Sequence, residues 1–416
     1  MTRVTCKIKD VISEVKSGDW GKGSPTENYT TEVLCVRGAD IPELCKGNVG
    51  KMPQRFIHNK KATSKILSAN NLIIEISGGS PTQSTGRIAL ISDKILSRYS
   101  KPLICSNFCK AITATGIQPE YLFNYWLYLY NKDAMFPYEN GTTGIKNLDF
   151  NSFIQEQDIS IPDIKTQQKI VSILSSIDEK IETNKRINDN LEQQAQALFK
   201  SWFVDFEPFR GGEFVDSELG LIPKGWRVVS LGEVTKQITE KVGNREDVTV
   251  LSPINSGELV LSEEYFTKQV FSKDLSKYLI VNPLSFAYNP ARINIGSIGL
   301  NTFDFVGCVS PVYVVFECEP NYQYFFDFFK RTAMFKDEVA LRAIGGVRQS
   351  LGYNDLSLIK TIYPTSDVVV EFNNLYLKMK EVMIKNTDQN EKFISLRDSL
   401  LPKLMSGELK INEFNC

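Results

Sequence analysis

Histidine is almost missing: His58 is the only one in 416 residues. That leaves no material for His-based metal sites or for triads built on a histidine base. Long apolar runs are missing too, and no window reaches the eighteen or more apolar residues of a membrane span. Residues Met1 to Asp10 carry scattered charges and no apolar h-region, so they do not read as a secretory signal. The eight cysteines stand at irregular spacings, and the closest pair, Cys105 and Cys109, matches no zinc knuckle or redox motif. We expect reduced, mostly buried thiols and a cytoplasmic protein.

Catalytic motifs are also wanting. No G-x-x-x-x-G-K-[ST] loop occurs, and Gly18 to Ser24 has only its glycines. An adenine methyltransferase needs an Asn/Asp-Pro-Pro-aromatic loop to hold a flipped base. Asn289-Pro290-Ala291-Arg292 lacks the second proline and the aromatic. Pro162-Asp163 followed by Asp178-Glu179-Lys180 imitates a nuclease pattern. That pattern needs its second acid and lysine on a strand facing a metal, whereas these ride on a helical repeat. The expectation is therefore no catalytic residue, no metal and no cofactor in this chain.

Net charge is −1, with no strong excess of either sign, until the chain is divided. Residues 1–150 hold 19 Lys and Arg against 13 Asp and Glu, and residues 151–216 hold 7 against 12. A basic first segment could follow a phosphate backbone, and an acidic helix would not. With 42% apolar and 23% charged residues the chain has a globular composition. It is too long for one ordinary core.

What is present is a repeat. After Ile161-Pro162, the positions Ile170, Leu174, Ile177, Ile181, Asn184, Asn188, Leu191, Ala195, Leu198 and Trp202 advance by alternating four and three residues, the seam of a coiled coil. Adding 202 gives Phe372, Tyr376, Met379, Met383, Asn386, Asn390, Phe393, Arg397, Leu400 and Leu404. Character is kept at every position except Arg397, and both asparagines recur. Upstream, Gly144-Ile145-Lys146-Asn147 resembles Gly346-Val347-Arg348-Gln349, and Ile161-Pro162 resembles Tyr363-Pro364. The chain reads as two copies of one unit: a variable domain, a glycine-basic loop, then a long helix. A helix of about 39 residues spans roughly 58 Å at about 1.5 Å per residue and is marginal alone in water. Two such seams in one chain can bury each other, and paired asparagines in the seam can fix register. The aromatic run Phe199, Trp202, Phe203, Phe206 and Phe209 is expected to dock where the first helix meets the second domain.

The fold class expected is α+β: two similar mixed domains separated by two long helices that form an antiparallel coiled coil with a pseudo-twofold relation. The segments are 1–155 (first variable domain), 156–210 (first helix), 211–362 (second variable domain) and 363–416 (second helix). Leu72–Ile76 reads as a strand with Leu284–Tyr288 as its counterpart, and Val309–Phe316 as another. Tyr121–Tyr130 and Tyr322–Met334 read as aromatic-rich helices. The frames match and the loops differ, which suggests similar tasks with different specificity. Arg and Lys can pair with guanine edges, and Asn and Gln with adenine. The candidate readers are Arg37, Gln54, Arg55, His58, Lys61, Gln83, Ser84 and Arg87 in the first unit, and Asn255, Tyr288, Asn289, Arg292 and Asn294 in the second. Lys146 and Arg348 are candidates for phosphate contact; a solvated loop explains them equally well.

The stretch Gln194-Ala-Gln-Ala-Leu-Phe-Lys-Ser-Trp-Phe-Val-Asp-Phe-Glu-Pro208 resembles the central conserved region of specificity subunits of type I restriction–modification enzymes. Leu396-Arg-Asp-Ser-Leu-Leu-Pro-Lys-Leu-Met-Ser-Gly-Glu-Leu409 resembles their C-terminal conserved region. Ile161-Pro162 with Gln167-Gln168-Lys169-Ile170-Val171 is similar to their helix start, and Leu221-Ile222-Pro223-Lys224-Gly225-Trp226 to the lead-in of their second recognition domain. One departure is that no Pro-x-x-Trp precedes the first domain, which begins almost at Lys7. The resemblance implies a subunit that reads a two-part site on double-stranded DNA with the helices as ruler. It also implies two methyltransferase subunits that bind S-adenosylmethionine and two motor-nuclease subunits that use ATP and Mg. Two other classes stay open: a cryptic enzyme, which a methylation assay on the isolated chain would reveal, and a coiled-coil scaffold without a DNA role, which a low-salt gel shift would separate.

Overall fold

The first long helix begins at Ile164, where the Asp163 carboxylate accepts from the Thr166 amide at 3.0 Å and from its hydroxyl at 2.7 Å. These bonds satisfy a free first-turn donor and hold the Asp163 carboxyl below its ordinary range. In the computed structural model, which describes residues 3–45, 51–79, 83–141, 145–266, 270–343 and 350–411, this helix runs Ile164–Phe203 and the second Ser366–Ser406. No helix among the described residues is long and apolar enough to cross a membrane.

The chain divides into two compact units. Unit 1 comprises residues 1–186 and 386–416, and unit 2 residues 187–385, so each holds part of both helices. In unit 1 a four-stranded antiparallel sheet has the order Ile12–Ser17, Cys109–Ala114, Asn71–Glu75, Ile88–Leu90. A second sheet sets Thr31–Val36 between antiparallel Gln54–Ile57 and parallel Leu103–Cys105. Asn71–Glu75 is buried throughout because it serves two cores. Leu72 and Ile74 face the helix Pro119–Tyr130, and Ile73 faces the second sheet. The period of two in a strand makes this division.

Unit 2 repeats the plan. Its four-stranded sheet has the order Thr235–Ile238, Val314–Cys318, Phe286–Tyr288, Ile298–Leu300. Its second sheet again carries one parallel pair, Thr249–Pro253 with Gly307–Val309. Phe286 and Tyr288 point into the large aromatic core and Ala287 into the smaller one. In each unit an opening strand pairs with the strand before a long helix: Val4–Lys7 with Asp158–Ile161, and Arg227–Ser230 with Lys360–Tyr363. In each unit a tyrosine ties the aromatic helix to that junction. The Tyr121 hydroxyl donates to the Ser160 carbonyl at 2.9 Å, and the Tyr322 hydroxyl to the Pro364 carbonyl at 2.8 Å.

The seam is buried or half-buried at every one of its twenty positions. In unit 1 the helix segments run antiparallel. Asn184 Nδ2 donates to Asn390 Oδ1 at 3.0 Å, and Arg397 pairs with Asp178 at 3.0 Å. Arg397, the exception in the repeat, thus neutralises the acid that imitated a nuclease motif. In unit 2 Asn188 Nδ2 reaches the Met383 carbonyl at 3.0 Å, and Phe199 and Phe203 pack on Phe372. The aromatic run does dock on its domain: Phe203 meets Phe325 and Trp226, and Phe209 meets Trp226.

Two expected elements are corrected. Val309–Phe316 is not one strand; the turn at Ser310–Tyr313, containing Pro311, separates Gly307–Val309 from Val314–Cys318, which lie in different sheets. Tyr322–Met334 is not one helix: Gln323–Phe329 ends, and Thr332 caps a new helix, Ala333–Arg342. Five of the seven described cysteines are buried, and burial pushes the Cys35 thiol up to about 12.

Candidate nucleic-acid interface

The sheet register shows where the loops correspond. Ile74 lies opposite Ile88, and Tyr288 opposite Ile298. Gly86 and Gly296 therefore hold one place, two residues before the strand, at φ +93° and +96°. Each carries the chain through a left-handed bend that a side chain would strain. The loops that end at these glycines hold Gln83 and Ser84 in unit 1, and Arg292 and Asn294 in unit 2.

This register corrects one candidate. Tyr288 corresponds to the core residue Ile74, not to a loop residue, and it is fully buried with its ring edge-on to Phe316. The sequence pairing of Leu72–Ile76 with Leu284–Tyr288 was two residues out of step, and that displacement carried Tyr288 to the surface. Leu284 instead stands before the strand at φ +62°.

In unit 2 the remaining candidates converge. Asn255 lies on the exposed turn between Thr249–Pro253 and Leu259–Leu261, and a Cβ added to Gly296 would come within 2.7 Å of the Asn255 carbonyl oxygen. Asn289 Oδ1 accepts from the Ala291 amide at 3.0 Å, a side-chain turn that uses up the nearest imitation of a base-holding loop. Arg292 and Asn294 are exposed beside it. The Leu351 amide donates to the Pro290 carbonyl at 3.1 Å. Arg348, with Gly144 and Gly346–Gln349, lies outside the described residues.

In unit 1 the candidates fall into two groups. Around the strand Gln54–Ile57, the Arg55 guanidinium lies 4.2 Å from the Trp20 ring, and its buried Nε has no hydrogen-bond partner among the described residues. Lys22 lies 4.4 Å from the Tyr29 ring, and His58 meets Tyr29 edge-on at 5.2 Å. His58 Nδ1 accepts from the Lys60 amide at 3.2 Å, so the lone histidine caps a short turn beside exposed Lys61. Gln54 accepts from Lys101 at 2.8 Å. Arg37 holds Asp40 through two bonds of 2.9 and 3.0 Å, which keep its guanidinium more firmly protonated. The second group surrounds Glu75 and Glu139. Arg87 clamps the buried Glu75 carboxylate at 2.8 and 2.6 Å, and Lys146 pairs with Glu139 at 3.1 Å. Ser84 gives its carbonyl to Tyr130 at 3.0 Å, and Gln83 is exposed.

Ion pairing within unit 1 thus absorbs the charge of Arg37, Arg87 and Lys146, while exposed Lys61 and Arg292 have no ion pair among the described residues. The sequence reading missed Trp20, Lys22 and Tyr29. The signal was the aromatic–basic alternation Trp20-Gly21-Lys22, a composition suited to nucleic-acid contact.

Comparison with known proteins follows the same lines. Residues 6–193 match the family model described as type I restriction modification DNA specificity domain. The chain is 26% identical over 424 residues to the type I restriction enzyme MjaIX specificity subunit of Methanocaldococcus jannaschii, covering 98% of this chain and 93% of that protein. It is 26% identical over 328 residues to the HindI specificity subunit of Haemophilus influenzae, covering 60% and 69%. A crystal structure of the S subunit of a type I restriction–modification system from M. genitalium superposes with a TM-score of 0.55 at 14% identity, covering 97% of this chain and 96% of that one, a likeness of fold. With the two-unit plan and the helical seams, these matches make the chain similar to the specificity subunits of type I restriction–modification enzymes, and its residues 6–193 carry that family's DNA specificity domain.

Proposed function

We propose that the chain reads a bipartite site on double-stranded DNA, one half per unit, and performs no reaction itself. The observation that carries this reading is the repeated frame: the same sheet order and the same glycine-bent loop in both units, with different polar residues on the loops. Base edges are distinguished by such side chains, and the sequence-independent part of affinity comes from basic residues on phosphates. Arg55, Lys61, Arg292 and Asn294 are the side chains we assign to DNA contact. Arg87 and Lys146 act through the loops they brace.

The helical pair serves as spacer and as docking surface for two methyltransferase subunits, with two motor-nuclease subunits completing the complex. S-adenosylmethionine, ATP and Mg belong to those partners. An apolar stripe on the second helix supports docking: Val370, Leu377 and Ile384 recur every seven residues and are 38%, 42% and 52% exposed.

Insertion tests the spacer. One heptad placed after Ile181 and another after Met383 keeps the 3.5-residue seam and adds about 10 Å at about 1.5 Å per residue. A DNA turn of about 10 base pairs rises about 34 Å, so the gap between half-sites should grow by about three base pairs. The heads also rotate by roughly a third of a DNA turn, so activity falls even where the gap shifts. Methylation of the old site at its old spacing would remove the helices as ruler.

A further inference from the structure

Lys330 follows the helix Gln323–Phe329, with its side chain 4% exposed. Its ammonium has three protons and meets three acceptors: Asp327 Oδ1 at 2.7 Å, the Gly257 carbonyl at 2.5 Å and the Ile298 carbonyl at 3.1 Å. The other Asp327 oxygen takes Arg331 at 2.6 Å, and Arg331 also pairs with Glu192 of the first long helix. A chain of charges thus runs from that helix to two backbone carbonyls. Gly257 closes the turn that carries Asn255, and Ile298 opens the strand after the loop that carries Arg292 and Asn294. Ser297 Oγ, donating to the Pro253 carbonyl at 2.7 Å, joins the same two segments.

An apolar side chain could fill this space without burying a charge. Only a donor with several protons ties the carboxylate and both carbonyls together. Unit 1 has an uncharged version. From the helix Pro119–Tyr130, Trp126 Nε1 donates to the Gly86 carbonyl at 2.8 Å and the Tyr130 hydroxyl to the Ser84 carbonyl at 3.0 Å. In unit 1 the aromatic helix thus bonds the loop backbone directly, and in unit 2 Lys330, just after the aromatic helix, bonds the carbonyls of the neighbouring turn and of the first strand residue after the loop.

We propose that Lys330 is a positioning residue for DNA readout by unit 2, fixing the turn at 254–257 against the loop at 289–297 so that Asn255, Arg292 and Asn294 keep one arrangement. This rests on the functional reading above. The test uses the assembled restriction–modification complex and a panel of duplexes built on the site it methylates, with single-base changes in each half. Two variants are compared with wild type. Lys330→Met removes the donors at similar volume and leaves Asp327 its Arg331 partner. Gly257→Ala strains the turn at φ +88°, with no atom closer than 3.8 Å to the added Cβ. Both should lower discrimination by about tenfold in one half-site and leave the other unchanged. A purely structural role would lower the melting temperature and leave discrimination intact in both halves.

Unchanged discrimination by a folded Lys330→Met complex overturns the proposal. If that variant fails to assemble, unchanged discrimination by Gly257→Ala overturns it. Equal relaxation of both halves overturns it as well. A wild-type complex without base preference defeats the functional reading, and the inference with it; a discriminating wild type with equally discriminating variants defeats the inference alone.

Discussion

Asn184 and Asn390 sit in the seam of unit 1 at 5% and 8% exposure, joined at 3.0 Å. Asn390 Nδ2 also reaches the Ile181 carbonyl at 3.4 Å, and Asn184 Nδ2 the Gln389 side chain at 3.3 Å. Asn184→Ala deprives Asn390 Oδ1 of its donor; a buried polar group left unsatisfied costs about 1–3 kcal/mol. Asn390→Ala removes the acceptor and the Ile181 bond, at similar cost. In the double variant neither amide is stranded, so its cost should fall short of the sum by about 1 kcal/mol. The assay is urea unfolding followed by tryptophan fluorescence in a Trp202→Phe/Trp226→Phe background, where Trp20 and Trp126 report on unit 1. Additive costs, or a neutral Asn184→Ala, would refute the paired-asparagine account.

In unit 2, Phe372→Ala removes a fully buried ring that packs on Phe199, Phe203 and Phe328, and calorimetry should show a loss of about 3–5 kcal/mol. Arg87→Met leaves the Glu75 carboxylate buried without its partner and should cost about 3–5 kcal/mol in chemical denaturation. Arg87→Met with Glu75→Met should restore most of that loss. Arg292→Ala should weaken binding by the assembled complex by about 1–3 kcal/mol and relax one base position, measured by competition with altered duplexes. The purified chain alone should bind DNA weakly in a filter assay at physiological salt. Nanomolar, sequence-specific binding by the chain alone would contradict the need for partners.

The helices were legible because a heptad pattern is a local, repeated signal, and the offset of 202 exposed it twice. The antiparallel segments and the aromatic dock from Phe199 to Phe209 followed from those positions. Strand identity was legible and strand register was not. Tyr288 looked like a loop residue because its strand reads alike when shifted by two, and only the pairing with Ile298 fixes the step. Val309–Phe316 read as continuous because a turn between β-branched runs changes composition only at Pro311. Ion pairs between distant residues left no trace in sequence: Arg87 looked as free as Arg292 until Glu75 was placed beside it. Lys330 was invisible for the same reason, since its three acceptors come from three separate segments.

Methylome sequencing of a host that carries the intact system, against the same host without it, tests the central claim most directly. The account predicts methylated adenines in one bipartite motif, two short specified halves separated by a gap of fixed length. A continuous motif, or no motif that depends on this chain, would contradict it.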